Sequence, residues 1–166
     1  MPLSIKEGKL EFIFSEDVFP TKYDGWVHYR KQFKDKCYKD NKAVDFIVYN
    51  SDKAWFCEIK DFRQNDRNKE KIPLCDEIAL KVRDTLAGLV SAKLRANNTE
   101  EKNFAKEVLT RSTINIILHI EQPNNSPYYN LSDLKDKLRQ LLKAIDPHVK
   151  VMNRTHSFPN IPWSVT

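Results

Sequence analysis

Ala43-Val44-Asp45-Phe46-Ile47-Val48-Tyr49-Asn50-Ser51-Asp52-Lys53-Ala54-Trp55-Phe56-Cys57-Glu58-Ile59-Lys60-Asp61-Phe62 is the stretch that decides the fold. Residues 43–49 and 54–62 are rich in β-branched and aromatic side chains. Residues 50–53 between them have turn chemistry, so the stretch predicts a β-hairpin. Three charged residues interrupt the apolar runs: Asp45 in the first strand, Glu58 and Lys60 in the second. Alternation puts Glu58 and Lys60 on one face of their strand. Ordinary hairpin register lets Asp45 reach the same edge. Charges inside apolar strands cost stability unless paired or solvated, and that cost marks a candidate site.

Upstream, Leu10-Glu11-Phe12-Ile13-Phe14 reads as a short strand. A helix is expected to start at Asp24 as its N-cap and to carry Trp26, Tyr29, Arg30, Phe33 and Cys37. Turn chemistry at 39–42 ends it. Downstream, residues 63–71 are polar and basic and read as a loop. Pro73 opens a long helix to Arg95. Its stripe of Leu74, Ile78, Val82, Leu86 and Leu89 is widened by Ala79, Leu80, Ala87 and Val90, so it is expected to be covered on most sides. Thr99 and Ser132 are the expected caps of two further helices, the second carrying Leu134, Leu138, Leu141, Leu142 and Ile145 inward and stopped by Pro147. Residues 114–121 form the cleanest strand, with Ile114, Ile116, Leu118 and Ile120 on one face. Residues 149–152 form a last short strand, and 158–163 are expected to pack back on the body. Helices between strands imply crossovers. The expectation is an α/β fold: a mixed central sheet flanked by helices on both faces. It is read as a single domain over 1–166, with a core at about 24–121 and a helix-strand extension at 131–166.

The composition bounds the function. The 166 residues include 28 Lys+Arg and 23 Asp+Glu, a formal charge of +5, and only 3 Gly. No apolar run approaches the ~18 residues of a membrane span, and residues 1–7 lack a secretory apolar segment. Cys37, Cys57 and Cys75 are odd in number and widely spaced. They exclude a disulfide framework and a Cys-rich zinc site, and point to the reducing cytoplasm. The charge is uneven. Residues 22–42 carry seven Lys/Arg against three acids, which suits either a polyanionic partner or a solvated helix face.

The triplet has a definite chemistry. Mg²⁺ or Mn²⁺ prefers oxygen ligands and takes one or two carboxylates plus waters and phosphate. Asp45 and Glu58 would supply carboxylates, and the Ile59 carbonyl a third oxygen. Lys60 would orient the attacking water or stabilise developing negative charge. A lone Glu-x-Lys is more commonly an exposed ion pair; the hairpin, the basic segment before it and the long helix after it favour a site. Asp45-x12-Glu58-Ile59-Lys60 in this setting resembles the PD-(D/E)XK nuclease superfamily. The resemblance runs from about Asp24 to Glu121, and Asp76–Asp84 is similar to small bacterial members. It implies a restriction-endonuclease-like fold and a metal-dependent hydrolase, most readily a DNA endonuclease. Asp45, Glu58 and Lys60 take the motif's catalytic positions. Two departures stand: Val44 occupies the place of the motif's proline, and residues 24–37 contain no glutamate where many members have one. Glu11, Glu16 or Asp17 is expected to replace it.

Accessory roles fall to Glu77 and Lys81 on the long helix, where an intrahelical ladder with Asp84 is an equal reading. Arg30, Lys34, Arg63, Gln64 and Arg67 are the candidates to grip nucleic-acid phosphates. His119 reads as a structural histidine and Cys57 as core. Trp26, Trp55 and Trp163 read as packing residues. The expected partner is nucleic acid, with a homodimer or a larger protein supplying specificity. The alternatives are a catalytically silent binding module of this fold and an RNase.

Overall fold

The computed structural model describes residues 2–64 and 72–166. Arg67 lies outside them. Five strands form the main sheet in the order β3 (Phe19–Lys22), β4 (Phe46–Tyr49), β5 (Lys53–Asp61), β6 (Thr113–Glu121), β7 (Lys150–Met152). The expected hairpin is β4–β5, antiparallel, with Phe46 opposite Cys57 and Tyr49 opposite Ala54. The Asn50 carboxamide oxygen accepts from the Asp52 and Lys53 amides and closes the turn. Strand β3 adds antiparallel to β4, whereas β6 and β7 run parallel to β5. The crossover from β5 to β6 contains α1 (Leu74–Arg95) and α2 (Thr99–Leu109). Helix α3 (Leu131–Leu142) joins β6 to β7.

The helices cover one face of this sheet, not both. Ala54, Phe56, Ile116, Leu118 and Ile120 pack with Ile78, Val82, Leu89, Val108 and Leu138. The other face is closed by a three-stranded antiparallel sheet, β1 (Ser4–Glu7), β2 (Leu10–Phe14) and β8 (Trp163–Val165), in that order. Leu10, Phe12, Phe14 and Trp163 pack there on Phe46, Val48, Trp55, Cys57 and Ile117. Burial on both faces explains why β4, β5 and β6 read as near-continuous apolar runs. The small sheet joins chain ends: the Glu11 and Thr166 backbones exchange bonds of 3.0 Å. Residues 131–166 thus contribute to both sheets.

Three local expectations are corrected. The helix expected from Asp24 is two short pieces, a 3₁₀ turn at Tyr23–Gly25 and a wide π-type turn at His28–Phe33. Asp24 caps neither. The Val27 and His28 amides are instead taken by the distant Glu101 carboxylate at 3.1 and 2.9 Å. Tyr38 and Asp40, both at positive φ, end the segment. Helices α2 and α3 are capped by Asn98 and Asn130, one and two residues earlier than expected, because each carboxamide oxygen reaches a free amide of the first turn. Among the described residues no helix is long and apolar enough to cross a membrane.

Helix α1 approaches the 23–33 segment closely at Gly88. A Cβ there would overlap the Tyr23 hydroxyl and press on Phe33 Cε1 at 3.2 Å. Gly88→Ala is therefore expected to destabilise the protein by about 1–3 kcal/mol, despite the helix propensity of alanine. The Tyr23 hydroxyl has no hydrogen-bond partner among the described residues. Removing it with Tyr23→Phe should recover much of the loss. Chemical denaturation of the two single variants and the double variant reads this directly, and additive losses would contradict it.

Candidate active site

Asp45 immediately precedes β4, and three bonds fix it there. Its amide donates to the Cys57 carbonyl at 3.1 Å and its carbonyl accepts from the Tyr23 amide at 3.0 Å. Its side chain turns back to β5, where Oδ2 accepts the Ile59 amide at 2.6 Å. Helix α1 steadies the approach: Asp84 accepts from the Lys42 amide at 2.9 Å and Thr85 from the Val44 amide at 3.1 Å. In an extended strand one residue's N–H and C=O point to the same side, so the Ile59 carbonyl faces the Asp45 edge.

Glu58 and Lys60 share the helix-facing side of β5, as alternation requires. Glu58 is 2% exposed. Its Oε1 lies 2.6 Å from Lys81 Nζ and 3.1 Å from Lys60 Nζ. Lys60 Nζ also reaches Glu77 Oε1 at 2.8 Å. Glu77 and Lys81 are one turn apart on α1, so β5 and α1 alternate charges across their contact. Asp84 stands apart from this network, bound to the Lys42 backbone. Glu58 Oε2 is buried without a hydrogen-bond partner among the described residues.

The electrostatics follow from this crowding. Burial, and then the nearby Glu58 carboxylate, push the Asp45 carboxyl up to about 8. Burial alone would lower the Lys81 ammonium, but the Glu58 and Asp45 carboxylates outweigh it and hold the group above its ordinary value. Burial drives the Cys57 thiol well upward, which suits a core residue and no nucleophile.

A cleft of about 420 Å³ opens on Asp45 and Lys81 and is lined also by Asp24, Tyr29, Lys34 and Lys42. Asp24 is the acid that sequence reasoning missed. Its Oδ1 is buried without a hydrogen-bond partner among the described residues, and burial raises its carboxyl. Its signal in the sequence is a carboxylate other than glutamate in the segment before the hairpin, at a position that also suits a helix cap. The Glu7–Lys22 pair, at 2.7 Å, is a second neighbour, and its carboxylate also raises Asp45. Glu11, Glu16 and Asp17 do not take this place. Glu11 alternates with the buried Leu10 and Phe12, so it sits on the outer side of the small sheet, and Glu16 and Asp17 are exposed.

The phosphate-binding candidates separate. Lys34 lines the cleft. Arg30 is exposed and donates to the Asp24 carbonyl at 2.8 Å. Arg63 grips Asp61 at 2.6 and 2.9 Å and borders another groove with Glu121 and Arg154. Gln64 is exposed. His119 is fully buried and bonded to Glu121 at 2.9 Å, on the sheet face opposite Glu58. Trp26, Trp55 and Trp163 are at most 8% exposed and pack in the core.

The donor set fits a hard divalent cation. Asp45 and the Ile59 carbonyl are oxygen donors at the β5 edge, with Glu58 beside them on its helix-facing side, and one Glu58 oxygen has no hydrogen-bond partner among the described residues. Among the described residues no three His, Cys, Asp or Glu side chains are grouped to hold a metal, so the third oxygen would be the backbone carbonyl.

At the sequence level the chain is similar to the cysteine--tRNA ligase of Neisseria meningitidis serogroup A, 32% identical over an alignment 210 positions long. The alignment covers 98% of this chain and 30% of that protein. The chain thus spans about a third of the length of the curated relative it matches. No family model matches the sequence. No solved structure matches it.

Asp45 has a signature in stability. With chelator present, the folded chain keeps its proton up to about pH 8, whereas the unfolded chain releases it near 3.8. The folded state therefore binds more protons between these values, and stability falls as pH rises through that window. Asp45→Asn removes the effect. Its melting temperature should exceed that of the wild type increasingly from pH 4 to pH 8 and level off above. A difference that does not vary with pH would contradict the buried, crowded carboxyl.

Proposed function

We propose that this protein is a divalent-metal-dependent phosphodiesterase acting on nucleic acid, with DNA endonuclease activity the leading form. The observation that supports this is the Asp45 carboxylate bonded to the Ile59 amide at 2.6 Å, next to the buried Glu58 and a Lys60 held by Glu77 at 2.8 Å. The antiparallel β4–β5 hairpin followed by a long crossover helix into parallel β6 favours the restriction-endonuclease-like arrangement.

Asp45, Glu58 and the Ile59 carbonyl would hold Mg²⁺ or Mn²⁺, with Asp24 a further carboxylate on the cleft. When bound, the ion supplies Lewis acidity to the scissile phosphate. Lys60 donates from a fixed position to the attacking water or to a phosphoryl oxygen as charge develops. Glu77 sets that position. Lys81 lowers the cost of burying Glu58 beside Asp45. Lys34 faces the cleft mouth, where a backbone phosphate would lie.

Two observations support neighbouring readings. Lys81 already neutralises Glu58 at 2.6 Å, which favours a catalytically silent binding module. The relative is named for a tRNA substrate, which favours RNA. Incubation of plasmid DNA and of transfer RNA with the protein and Mn²⁺ separates the three. Cleavage is expected, with Lys60→Ala slower on the order of 10²–10³-fold and Glu58→Ala inactive. Wild-type rates in both variants would remove the site. Tight metal-independent binding without turnover would establish the silent module.

A further inference from the structure

One wall of the Asp45 cleft carries an aromatic ring held out in solvent. Residues 34–40 are exposed throughout, and Tyr38 among them is 88% exposed. The next most exposed large apolar side chain described, Leu94, is 63% exposed. The Tyr38 backbone is left-handed, at φ 60, and Asp40 follows at φ 57. Aspartate tolerates that region, whereas a bulky side chain rarely adopts it and glycine would take it freely. Neither packing nor backbone preference accounts for a tyrosine at this position.

The turn that carries the ring is fixed without it. The Asn41 amide and Nδ2 both donate to the Lys34 carbonyl at 3.0 Å, and Nδ2 also donates to the Cys37 carbonyl at 2.6 Å. The Asp35 carboxylate accepts the Asp40 amide at 3.1 Å, and the Tyr29 hydroxyl donates to the Asn41 carbonyl at 2.9 Å. Lys34, Asp40, Asn41 and Lys42 line the same cleft as Asp45 and Lys81. Tyr38 is two residues from Asp40, so its backbone lies within about 7 Å of that wall. At about 3.4 Å per nucleotide along a strand, this is roughly two base steps.

Charge around the ring is positive. Residues 30–42 hold six Lys/Arg (Arg30, Lys31, Lys34, Lys36, Lys39 and Lys42) against two acids, Asp35 and Asp40. Lys39 Nζ lies over the Tyr38 ring, 5.6 Å from its centroid. Lysine is depleted in protein–protein interfaces, so a ring set among lysines suits a polyanion better than a protein surface. Single-strand binding sites use this combination: cations track the phosphates and an aromatic face takes a base. A base inside a duplex is stacked on its neighbours and must leave the stack before it offers a free face. We propose that Tyr38 is a stacking platform for an unpaired base on a strand that runs on into the Asp45 cleft, so that the substrate is single-stranded or locally unpaired nucleic acid. This rests on the phosphodiesterase reading of the cleft and narrows it. Lys36 and Lys39 take phosphates beside the stacked base, and Lys34 takes one at the cleft. Every base has a π-face, so the platform selects unpaired structure and not sequence.

Fluorescence anisotropy tests this with a labelled DNA strand of about 20 nucleotides, longer than a site of ~4–16. The same strand annealed to its complement is the comparison, and chelator prevents cleavage of either. The wild type should bind the single strand more tightly than the duplex. Tyr38→Ala should weaken single-strand binding by about 10–100-fold, with an unchanged melting temperature. Tyr38→Phe and Tyr38→Trp should keep the affinity, and the strand should quench the indole emission added by Tyr38→Trp. Equal losses on strand and duplex in Tyr38→Ala would overturn the platform, and so would a loss in Tyr38→Phe as large as in Tyr38→Ala. A wild type that favours the duplex, or that binds anionic phospholipid vesicles more tightly than the strand, would overturn it as well. The phosphodiesterase reading fails separately: Tyr38-dependent binding of a strand that Mn²⁺ does not cause to be cleaved would remove the reaction and leave the platform standing.

Discussion

Burial of the Glu58 carboxylate is the constraint on which the rest of the site depends. A charge that is 2% exposed on a strand face must be compensated or it costs several kcal/mol. Two lysines provide the compensation, Lys60 from the same strand and Lys81 from α1. Lys60 is itself balanced by Glu77, one turn before Lys81. These contacts fix the rotation of α1 over β5. The helix so fixed presents Asp84 and Thr85 to the Lys42 and Val44 amides, and the segment they hold delivers Asp45 back to Ile59. Strand, helix and connecting segment thus close a loop of mutual constraint around one acidic edge.

Among the described residues that loop gathers three carboxylates, from Asp45, Glu58 and Glu77, around the Lys60 and Lys81 ammonium groups. Burial and then the Glu58 carboxylate push the Asp45 carboxyl up to about 8, so it keeps its proton near neutral pH. A cation would make the proton unnecessary. The same crowding that destabilises the fold as pH rises would then be what binds the metal. Trading stability for a strained functional site is common in enzymes.

The legible part of the structure was local. Periodicity and turn residues located the hairpin, α1, β6 and α3 because each signal spans only a few residues. The Glu58–Lys60 pairing followed from strand alternation alone. The illegible parts depend on contacts between distant residues. The small sheet needs Glu11 to meet Thr166, and no local pattern announces that pairing. Its cover converts the second sheet face from solvent to core, which is why helices were expected there. The π-type turn at His28–Phe33 is capped by Glu101, seventy-three positions away. Asp24 was visible in the sequence, but its place on the cleft depends on that turn. The far side of α1, where Val90 is 48% exposed, was read as covered, since spacing shows that residues share a face and not whether anything packs on it.

We propose that Asp45 and Glu58 take up a divalent cation in exchange for the Asp45 proton. Calorimetric titration with Mn²⁺ at pH 7, repeated in buffers of different ionisation enthalpy, tests it most directly. The account predicts binding by the wild type with release of a proton from Asp45, and loss of that binding in Asp45→Asn and Glu58→Gln. Absence of binding by the wild type, or binding that both variants retain without change in proton release, would contradict it.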